Sequence, residues 1–257
     1  MVAIQSPILA LSALLLALLA VTVSAAPASS LERRGYAAFD GFSRVVNKDS
    51  LPWYKPYAAT GANMAVVNTP VGYKCFNGQS ALLPYVSDWK SFDTLWSINI
   101  PLLSAKNSAA NNAIIRQKIL QIASETNSSG QLTVGCTGDN NVNCGIMQAA
   151  PGSVSFNPSN PSASIDQMIR NGVLGTPGSW PNGGPGFAWL FDGAGGQAWF
   201  GIGGGGKPYR ALRAYNTGKV PNQGNLDATG GAGTVSYVND IANRLIGWNG
   251  RNRGCGY

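Results

Sequence analysis

Residues 172–206 hold 14 glycines in 35 positions, interleaved with Trp180, Phe187, Trp189, Phe191, Trp199 and Phe200. Glycine at that density disfavours any long helix or strand. Six large aromatic side chains in a free tether would leave too much apolar area in water. The segment is therefore expected to fold as irregular loops that lend rings to a core. That core has to come from the rest of the chain, where the signals are helical. Trp89, Phe92, Trp96 and Ile100 predict a helix from about residue 87 that Pro101 ends or kinks. Residues 108–126 predict a second, with Ile115, Ile119 and Ile122 on one face. A third is expected over 164–171, closed by Gly172. A fourth opens near Pro208, turns Leu212 and Tyr215 inward and ends at Gly218. The last starts from Thr234 as N-cap and runs through Val238, Ile241 and Leu245 to Gly247. The expectation is a mainly α, single helical domain with irregular Gly- and aromatic-rich loops and a small β-hairpin.

The N-terminus is read as a processed leader. Ile8 to Val23 is an apolar and small-residue run that ends in Val23-Ser24-Ala25, so residues 1–25 are expected to be a signal peptide. Residues 26–34 end in the pair Arg33-Arg34 and are expected to be a pro-peptide, with Gly35 as the mature N-terminus. Residues 35–109 read as an irregular N-terminal wrap, and 110–257 as the catalytic region. A secreted chain keeps its thiols oxidised, so Cys75, Cys136, Cys144 and Cys255 should form two disulfides. Three pairings are open; Cys136 with Cys144 and Cys75 with Cys255 are favoured, the first closing a short polar loop and the second pinning the tail. No metal site is expected, because no CxxC pair and no histidine completes a ligand set.

The absence of histidine excludes Ser/His/Asp and Cys/His nucleophiles and the HExxH zinc site together. The chain carries 18 basic against 11 acidic residues. That balance favours an anionic polymer as partner. The cations are scattered singly, so nucleic acid is not expected, and neither is a membrane. Gly201 to Lys207 imitates a phosphate loop, but Pro208 takes the place of its Ser/Thr and no strand precedes it. No cofactor is expected, and the protein is expected to be a monomer.

After Arg34 only one glutamate remains, Glu125, beside nine aspartates. It falls three residues beyond Ile122, toward the apolar face and at the C-terminal end of its helix. Desolvation and the negative end of the helix dipole both disfavour its ionised form. A carboxylic acid that holds its proton near neutral pH is what a general acid needs. Asp139 lies 14 residues on, in the loop that a Cys136–Cys144 bridge would stiffen. It is the candidate for activating water across a sugar ring, though a turn-forming aspartate fits the same neighbours. Asn127-Ser128-Ser129 is a formal glycosylation acceptor, expected to stay unmodified so close to Glu125.

Four segments in order, A-S-E-T (Ala123 to Thr126), G-I-M-Q (Gly145 to Gln148), A-L-R-A-Y-N-T-G (Ala211 to Gly218) and S-Y-V-N-D-I (Ser236 to Ile241), resemble the lytic transglycosylase and goose-type lysozyme group of the lysozyme-like superfamily. The likeness covers roughly residues 110–248. It implies an α+β lysozyme-like fold and a β-1,4-glycan substrate. Glu125 would be the catalytic acid, Gly145, Met147 and Gln148 would line the sugar groove, and Tyr215 and Asn216 would stand beside the acid. Thr126 departs from the serine usual there, and the glycine-rich stretch before Lys207 is longer than the group's pattern. The expected activity is cleavage of bacterial peptidoglycan by a secreted muramidase or lytic transglycosylase. Hydrolysis of chitin or mannan, and a non-catalytic wall-binding protein on the same fold, are the alternatives.

Overall fold

The computed structural model describes residues 69–123, 136–137, 143–178, 182–196 and 198–257. The leader, the pro-peptide, Glu125, Asn127, Asp139 and Trp180 lie outside the described residues. Among those described, the fold is mainly helical. Six α-helices are present: α1 (Phe92–Ser104), α2 (Ala109–Ala123), α3 (Pro161–Leu174), α4 (Phe187–Phe191), α5 (Pro208–Thr217) and α6 (Tyr237–Leu245). Two antiparallel two-residue ladders accompany them, β1 (Cys136–Thr137) with β2 (Asn143–Cys144) and β3 (Gly175–Thr176) with β4 (Gly184–Pro185). None of these helices is long and apolar enough to cross a membrane.

The helix limits differ from the expected ones for local reasons. Residues 86–88 form a short 3-10 turn, and α1 begins only after Ser91, whose hydroxyl accepts from the Thr94 amide at 3.2 Å. Trp89 therefore precedes the helix. Pro101 does not end α1; the helix continues to Ser104 with the proline inside it. α3 passes through Gly172 and stops at Gly175, which takes φ +98°, a conformation costly for a side chain with Cβ. Thr234 is not the cap of α6, because the Tyr237 amide bonds the Thr234 carbonyl in a turn before the helix and Ser236 holds the cap position. α5 follows the expected pattern, with Pro208 in its first turn and Gly218 left-handed at φ +79°.

Two cores organise these elements. Ile115 and Ile119 of α2 meet Ile165, Met168, Ile169 and Val173 of α3, with Ile146 and Ala188 completing the cluster and Phe92 and Trp96 against it. The side chain of Ile122 lies outside the described part. The second core gathers Trp189 and Phe191 of α4, Phe200, Ile202, Ala211 and Leu212 of α5, and Val238 of α6. Three of the aromatics from the glycine-rich segment, Trp189, Phe191 and Phe200, are thus buried. Trp199 is the exception at 62% exposed, stacked on Phe200 with centroids 3.6 Å apart. The glycines permit the tight path: a Cβ on Gly201 would lie 2.6 Å from the Val220 carbonyl oxygen.

Cys75 and Cys255 are joined, as expected, across a separation of 180 residues. Cys136 and Cys144 stand opposite each other in the β1–β2 ladder, and Cys144 is disulfide-bonded. Residues 71–90 lie along α6 rather than apart from the domain. Asn239 and Asn243, one helical turn apart, grip them: Asn243 Oδ1 accepts from the Lys74 amide at 2.8 Å, Asn239 Oδ1 accepts from the Phe76 amide at 3.0 Å, and both amide groups donate to the Lys74 carbonyl.

Candidate active site

The turn from Gly145 to Gln148 sits on the α2–α3 core because Ile146 is buried in it. Its shape depends on two residues with positive φ, Gly145 at +80° and Gln148 at +47°. A Cβ on Gly145 would come within 2.7 Å of both the Met168 side chain and the Val154 carbonyl. Gln148 closes the turn on itself: its amide and its side-chain Nε2 both donate to the Gly145 carbonyl, at 3.0 and 2.9 Å.

Met147 lies against Gly172 of α3. A Cβ at residue 172 would stand 2.4 Å from the Met147 Cβ, which explains why a glycine interrupts this helix. Gly172→Ala is expected to lower stability by about 1–3 kcal/mol. The clash outweighs the usual helix-propensity gain because the atom it strikes is fixed to backbone rather than the tip of a flexible chain. Urea titration measures the loss, and unchanged stability would contradict the contact.

Tyr215 reaches the same turn from the other core. Its hydroxyl donates to the Met147 carbonyl at 3.0 Å, and its ring meets Phe187 edge-on at 6.5 Å. Burial, with the neighbouring Tyr237 phenol adding to it, pushes the Tyr215 phenol well above its ordinary range. Burial likewise raises Tyr237, to about 12. Both remain neutral hydroxyls at any pH where the protein works. The structure therefore brings Gly145, Met147, Gln148 and Tyr215 into one place. Two further acceptors flank it: Asn143 Oδ1, just before the turn, and Asn171 Oδ1, beside Gly172, are buried without a hydrogen-bond partner.

Asn216 has other work. Its Oδ1 accepts from Arg213 Nη1 and from the Thr234 amide, each at 2.9 Å, so it anchors the loop that leads into α6. Ser236 and Asp240, from the fourth motif, are also engaged in packing. Ser236 Oγ donates to Asp240, which also accepts from Tyr73 at 2.7 Å and pairs with Arg253 at 2.7 Å. Ala123, two residues before Glu125 in sequence, is the last described residue of α2. Both candidate carboxylates, Glu125 and Asp139, lie outside the described residues.

No family model, curated protein or solved structure matches this chain.

Sequence reasoning missed Arg213. It is 0% exposed, yet no carboxylate pairs with it at ion-pair distance among the described residues. Carbonyl oxygens surround it instead: Nε donates to Leu226 at 2.6 Å, Nη1 to Thr234 at 3.0 Å and to Asn216 Oδ1, and Nη2 to Val235 at 2.9 Å. Desolvation lowers its pKa, opposed chiefly by the charge of Asp227. The signal available was slight, a cation inside the otherwise apolar inner face of α5.

Proposed function

We propose that the chain is a secreted glycoside-cleaving enzyme on a lysozyme-like scaffold, acting on the β-1,4-linked amino-sugar polymer of bacterial walls with Glu125 as general acid. The observation that carries this reading is the Tyr215–Met147 hydrogen bond, which joins the A-Y-N helix end to the G-I-M-Q turn across 68 residues. A chance pair of short motifs has no reason to meet in this way. α2 packs against α3, which carries Gly172 under the same turn, and the sole mature glutamate follows in sequence two residues after Ala123, the last described residue of α2.

In this reading Glu125 gives its proton to the leaving glycosidic oxygen as an oxocarbenium-like centre develops at the anomeric carbon. Asp139 then takes a proton from the attacking water, giving hydrolysis. In the transglycosylase variant a hydroxyl of the substrate attacks instead, returning its proton to the Glu125 carboxylate, and an anhydro-sugar forms. Tyr215 positions the turn against which the sugar lies and takes no proton itself, since its phenol stays neutral.

The deciding experiment incubates purified peptidoglycan with the mature protein and weighs the soluble products. Wild type is expected to release disaccharide-peptide fragments, lighter by one water if it is a transglycosylase. Glu125→Gln is expected to lose at least about a thousandfold in rate while melting no lower than wild type at neutral pH. The reason is one of sign. A carboxyl whose folded pKa is raised contributes its stability below the unfolded pKa and loses it as pH rises through the folded one. Wild type that releases nothing from peptidoglycan refutes the wall assignment, and chitin and mannan are then the substrates to try.

A further inference from the structure

A cleft of about 600 Å³ opens between residues 71–90 and the C-terminal end of α6, in a part of the fold that the proposed reaction does not use. Trp89, Phe76 and Ile246 give it an apolar lining, while Lys74, Lys90 and Asp88 supply charge. Its walls are held from several directions. The Val71 amide bonds the Gly247 carbonyl at 3.1 Å, the Lys90 amide bonds the Leu245 carbonyl at 2.8 Å, and the Cys75–Cys255 bridge ties this segment to the tail. The indole of Trp89 is also fixed, because Nε1 donates to the Tyr209 hydroxyl at 3.1 Å and that hydroxyl donates to the Pro84 carbonyl. A ring held in place loses little freedom when a flat ligand packs against it.

The charges in the cleft are unequal in number and in freedom. Asp88 already accepts from the Tyr85 amide at 2.9 Å. Lys74 and Lys90 are exposed, and neither ammonium is in an ion pair among the described residues. An apolar lining edged by two unpaired cations suits a ligand with both a ring face and an anionic group.

We propose that this cleft binds a carboxylate-bearing saccharide, with the sugar ring against Trp89 and the carboxylate paired to Lys74 and Lys90. It deepens the enzyme assignment and rests on it for the identity of the polymer: residues 71–90 hold an acidic part of the wall while the bond is cut elsewhere. The wrap then acts as a substrate-gripping element, and the fold gives a reason for bonding it so firmly to α6.

The test uses the whole mature protein carrying Glu125→Gln, so that binding is read without turnover. N-acetylmuramyl dipeptide, which bears one free carboxylate, and neutral N-acetylated chitotriose are titrated at low salt, following the Trp89 indole N–H resonance, itself identified by its loss in Trp89→Phe. The dipeptide is expected to shift this resonance, and Lys74→Gln with Lys90→Gln to weaken its binding about tenfold with an unchanged melting temperature. Lys219→Gln, outside the cleft, should leave binding as it was. An unmoved resonance, an undiminished affinity in the double variant, or chitotriose binding as tightly as the dipeptide would each overturn the proposal. Failure of the enzyme assignment shows separately, as wild type that releases no wall fragments.

Discussion

Arg213→Ala is expected to cost about 3–5 kcal/mol of stability, enough to unfold much of a marginally stable population. The guanidinium makes four hydrogen bonds, to the carbonyls of Leu226, Thr234 and Val235 and to Asn216 Oδ1. Its removal strands the buried Leu226 carbonyl and the partly buried Thr234 and Val235 carbonyls, while Asn216 Oδ1 keeps the Thr234 amide; each unmet buried group costs about 1–3 kcal/mol before water enters to relieve it. Lysine does not rescue the position, because three donors on one nitrogen cannot match a planar fork reaching four acceptors. Urea denaturation of both variants checks this. The residue is structural in the first instance, so wall-cleaving activity per folded molecule should fall less than stability does. A variant with wild-type stability would mean that the loop from Leu226 to Val235 closes without the guanidinium.

The second large effect is expected from Cys75→Ser with Cys255→Ser, or from selective reduction of that bridge. The disulfide spans a separation of 180 residues. A loop of that length loses much closure entropy in the unfolded chain, about 5 kcal/mol on the chain-entropy argument and about 3–5 kcal/mol in practice. The loss should be global, because the bridge acts on the unfolded ensemble. The native wrap keeps other holds on α6, through Asn239, Asn243 and the main-chain bonds of Val71 and Lys90. Thermal melting with and without reductant measures the first effect, and proteolysis within residues 71–90 of the native double variant measures the second. A melting temperature that ignores the bridge would contradict the entropic account. Early cleavage in this segment would show that the asparagine clamps cannot hold the wrap alone.

How far the residues foretold the site differs from motif to motif. Gly218 was legible as a helix end because a left-handed cap favours glycine, whereas Gly145 entered only through the G-I-M-Q likeness and its positive φ came from the structure. Tyr215 was legible as an inward residue on α5, but its meeting with Met147 was not, since no local pattern encodes a bond between two cores. Asn216 was expected beside the acid, and the structure uses its side-chain oxygen for Arg213 and Thr234. No local pattern marks Asn239 or Asn243 of α6 as clamps. Their role exists only because residues 74–76 pass alongside, and that path is set by packing far from either asparagine in sequence.

Periodicity alone determined that this chain is mainly helical, because a helix that buries one face must repeat its apolar residues every three to four positions. Glycine and proline chemistry marked several ends, and cysteine placement anticipated the long bridge. Tertiary structure decided what local rules leave open. Pro101 stays inside α1, and Gly172 stays inside α3 because Met147 needs the room of an absent Cβ. Close approach overrides local preference where a displaced neighbour would cost more than the helix gains. The same holds for the wrap: only α6, the tail disulfide and the Tyr209 hydroxyl make Phe76 and Trp89 part of the wall of a cleft.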